Sequence, residues 1–188
     1  MTVRPYAAAA AAGTALVTLL STVLTAAPAQ ALPPTTRTVK DATEPDKAYD
    51  ITQVTLRSAP KPNRPAVVIV KHARGVKAGD AVEVWFDLDG DKVPDLHVSG
   101  DAFSEFTVRK AKSFTKDGKD ISNKDVARLA MAGSTSKIRL FLGRLGQPTP
   151  TAFAVAVKSS TFDMPDSTDD WAPATKKFTK PVLAAPLT

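Results

Sequence analysis

The sequence predicts an all-β protein, a single β-sandwich of about seven to nine antiparallel strands with immunoglobulin- or jelly-roll-like layering. Three observations predict it. Short runs that alternate apolar and polar residues recur about every 8–12 residues, closed by Gly, Pro, Asn or Asp. No stretch carries the apolar period of a long amphipathic helix. No internal repeat points to a propeller or a solenoid.

The chain opens differently. One cation, Arg4, precedes an uncharged run from Ala7 to Ala27. Pro28 then breaks any helix, and Ala29-Gln30-Ala31 supplies the small-x-small pattern of signal-peptidase cleavage. Residues 1–31 are therefore expected to be a signal peptide and the product to be secreted. A membrane anchor is the competing reading, but Ala and Thr favour insertion far less than Leu, Ile or Phe. No stable membrane insertion is expected after cleavage. There is no cysteine in the chain, which excludes both a lipoprotein anchor and disulfide staples. A domain of the remaining size buries a sufficient core without them.

The formal net charge is +6, or +5 without Arg4. The excess is spread from Arg57 to Lys180, which favours solubility or anionic partners such as cell-wall polymers. Nucleic acid is not an expected partner, because only 6% of residues are aromatic and no basic cluster carries stacking side chains.

Residues 32–48, rich in Pro and Thr, read as a flexible N-terminal tail. The sandwich is expected over 49–183, with a short C-terminal tail at 184–188. Asp50 to Ser58 alternates through Val54 and Leu56. Ala66 to His72 is nearly all β-branched, as in a strand covered on both faces. Ala81 to Asp87 alternates Val82, Val84 and Phe86 against Glu83 and Trp85. Strand character resumes over Leu96–Ser99 and Phe106–Lys112, and Lys116-Asp117-Gly118-Lys119 reads as a turn. Ser122 to Ala132 fits either a capped helix or a hairpin with Lys137–Leu142 across Gly133-Ser134, and the hairpin is favoured. Ala152–Lys158 is a strand, Asp163–Pro173 an acidic loop, and Phe178–Leu183 a closing edge strand.

The acidic stretch Asp87-Leu88-Asp89-Gly90-Asp91-Lys92-Val93-Pro94-Asp95 carries the most specific chemistry. Carboxylates fall at relative positions one, three, five and nine, in a loop where Gly90 lets the backbone curl. Calcium takes about six to eight oxygens at about 2.3–2.6 Å, and a tight loop with alternate side chains turned inward delivers several. Asp87, Asp89, Asp91 and Asp95 are thus the expected Ca2+ ligands. A polar hairpin loop without metal is the alternative. The spacing resembles the calcium loops of EF-hands, dockerins and integrin-type propellers, and the strands on either side make the propeller loop the closer likeness. Relative position twelve is Val98 where an EF-hand has Glu, and position six is Lys92 where these loops have Gly. A side chain at positive φ there costs about 1–2 kcal/mol.

Two further acidic groups, Asp41/Glu44/Asp46/Asp50 and Asp163/Asp166/Asp169/Asp170, read as solvated segments unless they fold against that loop. His72 and His97 lie on strands and would bind zinc only as neighbours with a third ligand. No Gly-x-Ser-x-Gly elbow is present, and Glu83 and Glu105 are not marked as a glycosidase pair. Trp85 either packs or stacks on a sugar, with packing favoured; Trp171 is expected to pin the C-terminal loop.

Val39-Lys40-Asp41, Asp50-Ile51-Thr52 and Asp170-Trp171-Ala172-Pro173, with the exported start, resemble small secreted β-sandwich proteins of actinobacteria. The likeness covers most of Val39–Val182. In architecture the pattern is also similar to DOMON-type and carbohydrate-binding sandwiches, which licenses no activity. The reading that results is a secreted, non-catalytic, calcium-stabilised module with a binding or accessory role at the cell envelope, its partner a cell-wall polymer or carbohydrate. A small secreted hydrolase using carboxylates near the acidic loop, or a basic binder of anionic wall polymers, is the alternative.

Overall fold

The computed structural model describes residues 32–61, 63–102, 106–146, 149–162 and 164–185, all within the unit 32–188. Residues 1–31, read above as a signal peptide, lie outside the described residues, as do Glu105 and Asp163. Among the described residues no helix is long and apolar enough to cross a membrane.

The fold is a β-sandwich. One sheet runs in the order β1 (Thr36–Lys40), β2 (Ile51–Arg57), β3 (Ala66–His72), β9 (Thr135–Leu140) and β8 (Ala127–Ala132). The other runs β11 (Asp170–Ala172), β10 (Ala152–Thr161), β4 (Asp80–Asp87), β5 (Leu96–Asp101), β6 (Thr107–Ser113) and β7 (Lys116–Asp120). A short β12 (Val182–Leu183) shares the free edge of β10 with β11. Every pairing is antiparallel. The described strands number twelve, more than the seven to nine expected, because segments read as tail or loop also pair.

The alternation read from sequence sets the core. Val54 and Leu56 from β2, Val68 and Val70 from β3, Val82, Val84 and Phe86 from β4, and Phe153, Val155 and Val157 from β10 all point inward. Side chains from both inner faces interdigitate, as in aligned sandwiches. The hairpin reading of 122–142 holds: β8 and β9 pair from Ala132↔Thr135 to Ala127↔Leu140. Gly133, at φ 55, turns it.

Five expectations are corrected. The tail 32–48 contains β1, which lies in register against β2 from Thr36↔Arg57 to Lys40↔Gln53. β3 is buried on one face only, with Val67 and Ile69 half-exposed; Arg57, Lys137 and Arg139 stand beside them in register, and long stems of this kind cover apolar surface while their heads stay in water. Asp117-Gly118 lies in strand β7, and the reversal falls at Phe114-Thr115. The glycine serves close approach, since a Cβ on Gly118 would sit 3.2 Å from the Lys110 carbonyl oxygen. The loop 163–173 contributes β11. Of 178–183, only Val182 and Leu183 pair.

Trp85, out of phase with the core, is also buried, at 3% exposure. Its indole stacks on His97 (4.5 Å between centroids) and on Trp171 (5.1 Å), with Phe114 tilted against it at 5.5 Å. This second, smaller apolar layer lies on the outer face of the larger sheet. Offset and tilted contacts of this kind add about 0.5–1.5 kcal/mol each beyond area burial.

Candidate metal centre and the cleft beside it

Strand β4 ends at Asp87 and β5 begins at Leu96, so the acidic stretch is the β4–β5 connection. Its base is closed by the Asp95 amide donating to the Phe86 carbonyl at 2.8 Å. Inside, carboxylates accept from loop amides. Asp87 Oδ1 takes Gly90 N–H (2.7 Å) and Oδ2 takes Lys92 N–H (3.2 Å). Asp95 Oδ2 takes Leu88 N–H (2.7 Å), and Asp89 Oδ1 takes Asp91 N–H (3.1 Å). Gly90 at φ 87 and Lys92 at φ 68 provide the left-handed turns. Lys92 thus adopts the conformation that a glycine supplies in the calcium loops this stretch resembles.

Asp87, Asp89 and Asp95 each offer a carboxylate oxygen, and these oxygens all lie within 4.8 Å of one another. Two ligands bound to one calcium at about 2.3–2.6 Å are separated by no more than about 5 Å, so the set fits such an ion. Asp87 is buried, Asp95 half-buried and Asp89 exposed, which leaves one side open. Burial first, then the charges of Asp89, Asp87 and Asp91, push the Asp95 carboxyl upward against the pull of the Leu88 amide. A divalent ion would reverse that repulsion. Asp91, the fourth residue expected here, stands outside this set, and its Oδ1 accepts from Val93 N–H at 2.6 Å.

A cleft of about 500 Å³ opens beside the loop. It is lined by Asp87, Asp89 and Lys92 of the loop, by Thr151–Ala154 at the start of β10, and by Lys176, Lys177 and Phe178. The lysines are exposed. Lys176 holds φ 52, an uncommon conformation for a long side chain. Sequence reasoning missed Lys176–Phe178, because nothing local in Ala174–Lys180 marks it as lining a cleft with the acidic loop.

No protein-family model matches the chain, and no curated protein matches it. Among solved structures, a proposed carbohydrate-binding protein from Bacteroides uniformis is similar, at 10% identity and a TM-score of 0.43 over 79% of this chain and 78% of that one. So distant a likeness says nothing of what this chain binds.

The other candidates are absorbed by packing. His72 and His97 lie in different sheets, so they cannot share a zinc ion as neighbours. His72 stacks on Tyr49 at 3.7 Å, with Nε2 3.1 Å from Ser136 Oγ, and burial lowers its pKa to about 4. Ser136 is itself fully buried, which removes it as a nucleophile. His97 places Nδ1 3.1 Å from Asp117 and Nε2 3.2 Å from Glu83, and Glu83 also meets Lys158 at 2.8 Å. Trp85 is too buried to be a sugar platform, whereas Trp171 does pin its segment, as expected.

The two remaining acidic groups do not fold against the calcium-type loop. They fold against each other: the Ala48 amide donates to the Thr168 carbonyl at 3.1 Å, and the Ile51 amide to Asp170 Oδ2 at 2.5 Å.

Proposed function

We propose that this chain is a secreted, non-catalytic binding module of the cell envelope, with a calcium ion on Asp87, Asp89 and Asp95 and an anionic envelope polysaccharide in the adjoining cleft. The observation that carries this reading is the convergence of three carboxylate oxygens within 4.8 Å on one loop. The ion would fasten the loop and stabilise the fold by mass action. Its open side faces the cleft, where hydroxyl or carboxylate oxygens of a ligand complete the shell. Lys92, Lys176 and Lys177 suit an anionic chain, and Phe178 offers part of a ring face. Export rests on the uncharged run Ala7–Ala27 followed by Pro28 and the small-x-small pattern Ala29-Gln30-Ala31.

Calcium titration into chelator-stripped protein tests the metal. With an affinity in the range of about 10⁻⁴–10⁻³ M known for extracellular calcium modules, about 10 mM calcium stabilises by about 1.4–2.7 kcal/mol. That raises the melting temperature by several degrees in a domain of this size. Asp89→Ala loses the part of the heat and of the shift that belongs to this loop. Absence of either in the unaltered protein removes the metal. The ligand is tested by retention on anionic cell-wall material, expected to weaken with salt and with Lys176→Ala/Lys177→Ala; retention indifferent to both overturns that part.

A further inference from the structure

Charge in this sandwich is sorted by sheet. The five strands β1, β2, β3, β9 and β8 contain no Asp or Glu, yet each carries Lys or Arg. The larger sheet mixes both signs, and its acids are answered: Asp80 by Arg74, Glu83 by Lys158, and Asp117 by His97. In the smaller sheet the alternation that sends Leu56, Val68, Ile138 and Leu140 into the core turns their neighbours outward. The cations therefore collect on the outer face.

Register places them in one field. Arg57 pairs with Val67, Val67 with Arg139, and Arg139 with Arg128, which makes one line across four strands. Lys137 stands in the next line, beside Ile69. Lys71 and Lys40 close the third, on either side of Gln53. Neighbouring strands lie about 4.8 Å apart and alternate residues about 6.6 Å apart, so the patch measures about 19 Å by 13 Å. Arg57, Lys71, Arg128 and Lys40 are exposed, and Lys137 and Arg139 half-exposed. Among the described residues none of the six is ion-paired. Arg128 and Arg139 are direct cross-strand partners, an arrangement in which like charges destabilise a sheet. An anion laid across them turns that repulsion into attraction.

We infer that the outer face of the smaller sheet is a docking surface for an acidic polysaccharide, a linear chain whose carboxylates recur along its length and lie across β2, β3, β9 and β8. Charge complementarity carries this: a field of one sign, with no acid among its strands, attracts a polyanion as a whole although each exposed pair contributes little. Arginine forks bind carboxylates with two parallel hydrogen bonds. Thr36 and Thr38, exposed on the same face, offer hydroxyls to sugar hydroxyls. Nucleic acid fits less well, because these strands hold no aromatic residue on which a base could stack. A bilayer fits less well too: the exposed large apolar residues Leu32, Val93, Phe162 and Met164 lie on none of these strands, so nothing here would insert. The inference shares its class of partner with the function proposed above but neither the ion nor the cleft, with which this face has no lining residue in common.

The experiment is binding of polygalacturonate, a carboxylate polysaccharide, measured in chelator at low salt so that the β4–β5 loop holds no calcium. Arg57→Gln/Lys137→Gln/Arg139→Gln is expected to weaken it about tenfold. Lys110→Gln/Lys112→Gln/Lys119→Gln removes the same net charge from the larger sheet and is expected to change it less than about twofold. Glutamine keeps part of each stem over Val67 and Ile69 and relieves the repulsion, so the first variant is expected to melt no lower than the unaltered protein. Should it fail to fold, Lys71→Gln and Arg128→Gln decide, each weakening binding about two- to fivefold. Equal losses in the two triple variants reduce the effect to net charge and overturn the site. Binding lost with Lys176→Ala/Lys177→Ala but kept in the first triple variant also overturns it and leaves the cleft standing. No binding in chelator overturns it without touching the calcium loop. Tighter binding, at equal charge concentration, to phosphatidylglycerol vesicles or to duplex DNA overturns the choice of partner.

Discussion

Replacing Arg74 with Met strips a carboxylate that has no contact with solvent. Asp80 is 0% exposed, and Arg74 meets it with two short hydrogen bonds, Nη1 to Oδ2 at 2.6 Å and Nη2 to Oδ1 at 2.8 Å. The Lys77 amide (2.7 Å) and Thr161 hydroxyl (2.8 Å) complete the cage. Arg74 also donates twice to the Ala48 carbonyl and lies over the Tyr49 ring at 4.8 Å. Burial alone would raise the Asp80 carboxyl, but Arg74, Lys77 and Thr161 together hold it below the usual value. A buried pair that loses one partner costs about 3–5 kcal/mol. Asp80 escapes part of this by taking a proton. Against its ordinary pKa of 3.8, protonation at pH 7 costs about 1.4 kcal/mol per unit, which limits the charge penalty to about 4 kcal/mol.

The sign follows from these directions. In the unaltered protein a depressed carboxyl contributes stability that is present above pH 3.8 and fades as pH falls through its folded value. In Arg74→Met the same carboxyl is raised, so its penalty grows as pH climbs above 3.8. The difference between the two proteins is expected to be about 3–4 kcal/mol near neutrality and about half that near pH 5, read from urea unfolding in chelator. Arg74→Met/Asp80→Asn is expected to recover most of the loss. A difference below about 1 kcal/mol at neutral pH, or one equal at both pH values, would show that the pair does not bear the burden assigned to it.

Two other perturbations test neighbouring parts. Lys92→Gly at φ 68 relieves about 1–2 kcal/mol of strain and loses about 0.5–1 kcal/mol to backbone entropy. Apo stability is thus expected to stay level or rise by up to about 1.5 kcal/mol. Calcium affinity is expected to improve about two- to fivefold as a surface cation leaves; titration showing weaker binding refutes this. His72, whose pKa falls from 6.5 to about 4, keeps its full stability contribution above pH 6.5 and loses about 3 kcal/mol as pH drops to about 4. Asp41, raised from 3.8 to about 6, slopes the other way, favouring the fold at low pH and losing that benefit as pH rises to about 6. In chelator, Asp41→Asn should therefore steepen the acid loss and His72→Gln should remove most of it, by melting temperature across pH 4–7.

What the sequence revealed and what it hid divide along the range of the interactions. The periodicity of Val82–Phe86 and Phe153–Val157 and the turn at Gly133-Ser134 are local, and they were legible. So was the acidic loop, because all its carboxylates lie within nine residues. Strand β1 was not, since Thr36–Lys40 alternates only between exposed and half-buried positions and owes its form to β2. Asp117-Gly118 carries turn chemistry, yet the chain reverses at Phe114, whose ring is drawn into the layer around Trp85 and Trp171. The meeting of Asp41 and Asp50 with Asp170 joins residues more than a hundred apart, and no local pattern encodes it. That Lys176 and Lys177 line one cleft with Asp87 is hidden for the same reason.

Both tryptophans of the chain stand ring to ring, Trp85 on β4 and Trp171 on β11. They form one coupled chromophore. Its near-ultraviolet dichroism and emission follow a single event, the docking of β11 onto the sheet, while the rest of the sandwich contributes no indole.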